Sequence, residues 1–402
     1  MIVSKFGGTS VGSAENIKKV IQIIQQKNDQ ATVVVSALGG VTNLLIEAAE
    51  LALHNETGYE TIVDQIEKRH FEAIEGLLNQ DNQTVSKAEV AKKLNQLKEI
   101  LNGVALLNDL SDKTAARITS LGETLSSFII YQAMLQEKIN IKLIDSKALI
   151  STNDEFLNAQ VNFETTYKNI QEHLSKSKAE VCLLPGFIAS NDKGETTTLG
   201  RGGSDFTAAI IANAIGASML EIWTDVSGMF TANPKLVRQA YPIKEISYQE
   251  AMELSHFGAK VLYPPTIQPV LDKKIPILIK NTLASEDKGT LITEKSLVSG
   301  STVKGISHIE DIALLTLEGN GMVGVPGISK RLFGALADHQ INIKFITQAS
   351  SEHSISIAID SRESELSKKV VDAEFEYEIF QHKVNPLVIE TDLAIVALVG
   401  DN

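Results

Sequence analysis

Short apolar runs recur along the first two-thirds of the chain, separated by segments whose apolar residues fall three and four apart. The runs IVSKF at 2–6, ATVVVS at 31–36, INIKLI at 139–144, VCLL at 181–184, MLEIW at 219–223 and IPILIK at 275–280 read as strands. The helical spacing predicts a helix over 14–26 and a long helical region over 43–136, carried by IEAAELAL, VAKKLNQLKEILNGVALL and ARITSLGETLSSFIIYQAML. That alternation is the rhythm of a parallel sheet covered by helices, an α/β fold. Residues 186–199, centred on Asn191-Asp192-Lys193-Gly194, read as a hairpin.

The polar stretch 293–302 marks a domain boundary. Beyond it the pattern is strand (ALLTLEG), glycine-punctuated turn (319–327), helix (ISKRLFGALADHQ), strand (INIKFIT), strand (SISIAI) and helix (ESELSKKVVDAEF), a compact βαββα unit. A last apolar run, LAIVALVG, either pairs back into that unit or belongs to a chain cut there.

Composition narrows the chemistry. The 402 residues are 43% hydrophobic, enough for two or three domains with large cores. Fifty acidic against thirty-seven basic residues give a net charge of -13, which argues against nucleic acid and anionic membranes as partners. The single cysteine, Cys182, lies in an apolar run and reads as a buried structural thiol, in keeping with a reducing cytoplasm. No leader or membrane segment is expected. The histidines show no metal-binding spacing, so no protein-ligated metal is expected, and Mg²⁺ borne by a nucleotide is compatible with the sequence.

Three segments carry candidate chemistry. In MIVSKFGGTSVG, a strand delivers Lys5 to a turn where Gly7 and Gly8 leave the backbone N–H groups open to an anion, with Ser10 or Ser13 as helix cap. The plain alternative is a strand-to-helix turn that needs two glycines. In TTTLGRGGSDFTAA, glycines frame Arg201 ahead of Ser204 and Asp205 at a helix start, where Arg201 can grip a carboxylate and Asp205 can serve merely as a first-turn acid. After MLEIW come Thr224 and Asp225, then Lys235 farther along and Lys260 at a helix end, at the side of a parallel sheet where ligands bind. Glu123, in the mostly apolar SLGETLSS, needs a partner, either solvent or a substrate ammonium.

The segments KFGGTSVG, VSALGGVTNLL, SLGETLSS, LLPGFIAS, TLGRGGSDFTAA, EIWTDVSGMFTANP and SYQEAMELSHFGAKVLYPPTI, in that order over residues 1 to about 292, resemble the aspartate kinases. The tail from LEGNGMVGVPGISK to ITQASSEHSIS resembles their first ACT regulatory module, and several stretches look most like the kinase half of bifunctional aspartate kinase/homoserine dehydrogenase. The resemblance implies an amino-acid-kinase-like, mostly parallel sheet sandwiched by helices over 1–292, a ferredoxin-like ACT domain over 303–390, and in 391–402 the start of an incomplete second ACT module. No GxGxxG follows, so no dehydrogenase domain is expected.

It further implies transfer of phosphate from ATP, with Mg²⁺, to the side-chain carboxylate of L-aspartate. Lys5 and Asp205 would then be catalytic. Ser36, Thr42, Glu123, Phe187, Arg201 and Ser204 would bind aspartate, Arg201 taking its α-carboxylate and Glu123 its ammonium. Lys5, Gly7, Gly8, Thr224, Asp225, Phe230, Lys235 and Lys260 would hold ATP. Gly321, Gly327, Asn342 and Gln348 would hold a feedback amino acid, threonine ahead of lysine, in a cytoplasmic homo-oligomer paired through ACT. Phe230, Asn233-Pro234-Lys235 and Tyr263 depart from the common family residues tyrosine, Asp-Pro-Arg and histidine, which weakens the nucleotide assignments most. A related kinase acting on glutamate, acetylglutamate or carbamate, or a silent ACT-based sensor, are the competing readings.

Overall fold

The structure is a computed structural model describing residues 1–27, 30–55, 58–256, 262–295, 303–348 and 352–400. Lys260 therefore lies outside the described residues. The chain divides into a larger unit, residues 1–305 joined by the residues from Val399 onward, and a smaller one, 306–398.

The larger unit holds strands β1 (Ile2–Phe6), β2 (Ala31–Val35), β3 (Ile141–Leu143), β4 (Ser151–Thr152), β5 (Val181–Pro185), β6 (Ile188–Asn191), β7 (Thr196–Thr198), β8 (Met219–Thr224), β9 (Glu245–Ser247), β10 (Ile277–Asn281) and β11 (Thr290–Thr293). Its helices are α1 (Ala14–Gln25), α2 (Val41–Leu53), α3 (Tyr59–Leu77), α4 (Gln80–Leu107), α5 (Asp112–Thr119), α6 (Leu121–Gln136), α7 (Phe163–Ser175), α8 (Gly203–Ala214), α9 (Tyr248–His256) and α10 (Gln268–Asp272). Among the described residues, eight strands form one sheet in the order β3-β5-β2-β1-β8-β10-β11-β9. Every adjacent pair is parallel except β10 with β11. The short β4, β6 and β7 make a second sheet whose hairpin pairs Ile188 with Thr198.

Successive strand residues point to opposite faces, and here each face has its own core. Phe6, Val33, Val35, Leu183 and Trp223 pack with α1, α2, α3, α4 and α6. Val3, Val34, Leu184, Leu220 and Ile222 pack with α7, α8, α9 and α10. The sheet is thus covered on both sides, as a largely parallel sheet requires. Lys5 shares its face with Val3, toward α8, whereas Glu123 enters from α6 on the other side. The carboxyl ends of β1, β2 and β5 bring these layers together.

The smaller unit comprises β12 (Gly305–Glu318), α11 (Ile328–Asp338), β13 (Phe345–Gln348), β14 (Ser354–Asp360), α12 (Ser364–Glu374), α13 (Glu376–Phe380) and β15 (Val388–Val399). Its sheet runs β13-β14-β12-β15, with Leu315 opposite Ile357, and Leu332, Leu336, Val371 and Phe375 close the core from the helices. The run LAIVALVG is part of β15, beside β12 in this sheet. The expected strand INIKFIT is shorter: β13 spans Phe345–Gln348, all four residues exposed at the sheet edge, and the Lys344 N–H just ahead of it donates to the Ala358 carbonyl of β14 at 2.8 Å.

Candidate active site

The turn after β1 forms as the glycines suggest. The Gly7 N–H donates to the Trp223 carbonyl at 3.0 Å, tying the turn to β8. A Cβ on Gly8 would stand 3.2 Å from the Ala37 carbonyl, and one on Gly39 3.2 Å from the Gly8 carbonyl, so two glycine backbones pass in near contact. Ser13, not Ser10, caps α1, accepting from the Asn16 N–H at 3.2 Å. Ser10 is buried and shares a hydrogen bond of 2.7 Å with Thr282, linking the turn to the end of β10.

Two other helices open without a side-chain cap. α2 follows Gly40 (φ 82°) and α8 follows Gly202 (φ 72°), both in the left-handed region that favours glycine. Their first-turn N–H groups carry partial positive charge, and the residues at both starts line one cavity of about 750 Å³. That volume is in the range of small-ligand sites. Of the expected residues, Lys5, Gly8, Ser36, Thr42, Glu123, Phe187, Arg201, Ser204 and Asp205 all line it.

Inside the cavity the charges are incompletely matched. Lys5 Nζ lies 2.8 Å from Asp205 Oδ1, with both side chains largely buried, yet no well-angled hydrogen bond reaches that oxygen. The contact is an ion pair by distance that leaves ammonium donors for another acceptor. Glu123 is 4% exposed, and its Oε2 has no partner among the described residues. Burial pushes its carboxyl up to about 7, against the opposing pull of the Ala37 amide, its own backbone and the Lys5 charge. A buried carboxylate of this kind is stabilised by a cation or a hydrogen-bond donor. Arg201 is exposed, its guanidinium 5.4 Å from the ring centre of Tyr263.

Phe187 sits at φ 68°, unusual for a bulky residue. Its N–H donates to Thr207 Oγ1 at 3.0 Å, and its carbonyl accepts from the Leu199 N–H at 3.0 Å. Two elements therefore hold the ring in a conformation the isolated chain would avoid. Ser36 is fixed through its backbone: its N–H donates to the Phe6 carbonyl, and its carbonyl accepts from Ser126 Oγ.

The remaining nucleotide candidates lie outside that cavity's lining. Gly7 is in the turn itself. Thr224 ends β8 and donates to Asp225 Oδ1 at 3.2 Å. Phe230 bridges to Pro242, and Lys235 is exposed in the loop that follows. Sequence reasoning passed over Gly39, Asn43 and Thr119, which line the cavity, and Arg69, which holds the Gly39 carbonyl at 2.6 Å. The pair Gly39-Gly40 after β2, repeating Gly7-Gly8 after β1, was the available signal for the first of these.

A profile of the amino acid kinase family matches residues 1–281, and an ACT domain profile matches residues 315–375. Lysine-sensitive aspartokinase 3 of Escherichia coli is 31% identical, in an alignment covering 100% of this chain and 87% of that enzyme. The chain belongs to the aspartokinases, within the amino acid kinase family. Bifunctional aspartokinase/homoserine dehydrogenases of Buchnera aphidicola and Haemophilus influenzae are 38% and 35% identical across the whole chain, which spans about half their length, 50% of each. The crystal structure of E. coli aspartokinase III with lysine and aspartate gives a TM-score of 0.84 at 31% identity, covering 100% of this chain and 87% of that one. The same enzyme with aspartate and ADP gives 0.81 at 30% identity, with coverage of 100% and 88%.

The ACT unit has a cavity of its own, about 270 Å³, between the turn at 324–329 and Gln348, Glu352 and Ile355. Of the four candidate effector residues, Gly327 and Gln348 line it and Gly321 and Asn342 do not. A Cβ on Gly321 would stand 2.5 Å from the Lys383 Cβ, so close packing requires a glycine here. Asn342 is exposed ahead of β13. Glu352, missed in the sequence, accepts from the Gly324 N–H at 2.9 Å across the mouth of the cavity.

Proposed function

We propose that the chain phosphorylates the side-chain carboxylate of L-aspartate with ATP, giving aspartyl 4-phosphate and ADP. The observation that carries this reading is the buried Glu123 carboxylate, whose Oε2 has no partner among the described residues, in the same cavity as the Lys5–Asp205 pair and Arg201. Glu123 receives the substrate ammonium and Arg201 its α-carboxylate, so the side-chain carboxylate is directed at Lys5. It is already ionised at neutral pH and needs no base. One of its oxygens forms a bond to the γ-phosphorus as the bond from that phosphorus to the ADP oxygen breaks, and Lys5 with the Gly7 and Gly8 amides offsets the charge on the transferred group. Asp205 orients Lys5. Thr42, Ser36 and Ser204 donate to the substrate, and Phe187 walls it in.

Among the described residues no group of three His, Cys, Asp or Glu side chains is arranged to hold a metal ion. Mg²⁺ on the triphosphate supplies charge neutralisation there. Thr224, Asp225, Phe230 and Lys235, with Lys260, hold the nucleotide. Aspartokinase III complexes containing aspartate and ADP support this assignment by likeness.

The division we propose is catalytic over 1–292 and regulatory over 303–390, with 391–402 opening a second ACT module. The ACT unit takes an amino acid between the N-terminal turn of α11, Gln348 and Glu352, in a cytoplasmic homo-oligomer. Identity to the Buchnera and Haemophilus bifunctional enzymes, 38% and 35%, exceeds the 31% to the lysine-sensitive one, which favours threonine over lysine as effector in the synthesis of aspartate-derived amino acids. Titration calorimetry with both amino acids tests this, and tighter lysine binding would reverse it. For the reaction, the protein is incubated with Mg-ATP, hydroxylamine and aspartate, glutamate or N-acetylglutamate. Hydroxamate is expected from aspartate, and equal yield from the acylated acid would overturn the role of Glu123.

A further inference from the structure

Arg69, on α3, is exposed and has no carboxylate partner among the described residues. Its Nη1 donates to the Gly39 carbonyl at 2.6 Å, and the same nitrogen lies 3.1 Å from where a Cβ on Gly40 would stand. α3 packs along α2, so the guanidinium reaches the loop that launches α2. In a trans peptide the carbonyl and the following N–H point opposite ways, and no cis bond occurs among the described residues. A Gly39 carbonyl drawn toward α3 therefore turns the Gly40 N–H away from α3. That N–H has no acceptor among the described residues, whereas the neighbouring Val41 N–H is already bonded to the Leu38 carbonyl at 2.9 Å. Gly39 and Gly40 both line the cavity, and Gly39 abuts the Gly8 backbone.

Resting on the phosphotransfer reading, we propose that Arg69 is a positioning residue: it locks the Gly39–Gly40 peptide so that the Gly40 N–H faces the phosphate turn as a further fixed donor to the transferred group. It acts through backbone and touches no substrate. A donor fixed before the reaction needs no reorganisation as charge develops, and removing such a donor costs rate more than binding.

The test compares the wild-type chain with Arg69→Ala and Arg69→Lys, by hydroxamate formation from aspartate and by Mg-ATP affinity from the fluorescence of Trp223, the one tryptophan in the sequence. Arg69→Ala should lower kcat about tenfold to a hundredfold with KM for aspartate nearly unchanged. Mg-ATP affinity should fall several-fold, the thermal midpoint should hold, and Arg69→Lys should recover part of both losses. Wild-type kcat in Arg69→Ala, or equal loss in Arg69→Lys, would overturn the proposal. A wild-type chain that makes no hydroxamate counts against the aspartate reading alone, because Mg-ATP affinity then still decides the role of Arg69: a drop supports it and no change refutes it.

Discussion

The proposed acceptor and nucleotide sides of the candidate active site are built differently. On the acceptor side, Glu123, Arg201, Lys5 and Asp205 converge on one cavity, where Glu123 Oε2 has no partner among the described residues. On the nucleotide side, polar groups are satisfied by their neighbours: Thr224 with Asp225, Asn281 with Ser227, and the Lys235 N–H with Asn233. A buried group that folding leaves unsatisfied favours the ligand that completes it. Exposed, self-satisfied loops gain much less from any one contact. Substitutions should therefore cost most where charge is buried in that cavity.

Lys5→Ala should have the largest effect, lowering kcat by about a thousandfold. A variant retaining a tenth of wild-type hydroxamate formation would deny Lys5 its role. Glu123→Gln should raise KM for aspartate about a hundredfold while KM for ATP stays within about twofold. A matching rise for ATP would erase the distinction between the two sides. The same variant reads out linkage. Because the Glu123 carboxyl rises from 4.5 to about 7 on folding, the folded state binds the extra proton, so stability of the ligand-free protein falls as pH rises between those values and levels off above. Glu123→Gln should remove that slope in denaturant titrations. Arg201→Lys keeps charge but loses the planar fork, for about a tenfold rise in aspartate KM. Lys235→Ala, on the exposed loop, should change ATP KM about threefold, and a larger change than in Arg201→Lys would invert the comparison.

The same contrast explains what could be read in the chain. Glu123 in an apolar helix and Arg201 between glycines stand out because their surroundings give them no obvious partner, and both line the cavity. The parallel sheet was legible because β1, β2, β5 and β8 are short apolar runs. Residues whose role arises only in three dimensions were not. Arg69 is one base in the charged stretch EKRH until α3 packs beside the Gly39 turn. The close packing of Gly321 against Lys383 is likewise invisible in the sequence. Residues 341–344 have the composition of a strand, but the strand itself begins at Phe345, with only the Lys344 N–H reaching the Ala358 carbonyl of β14 ahead of it.

The central claim is that the Glu123 carboxylate receives the substrate ammonium. It is tested most directly by calorimetry of aspartate binding in buffers of different ionisation enthalpy, below and above pH 7. Aspartate should drive nearly one proton off Glu123 at a pH one unit below its titration near 7 and almost none one unit above. Glu123→Gln should release none at either. Proton release unchanged in Glu123→Gln, or N-acetylaspartate binding as tightly as aspartate, would contradict the account.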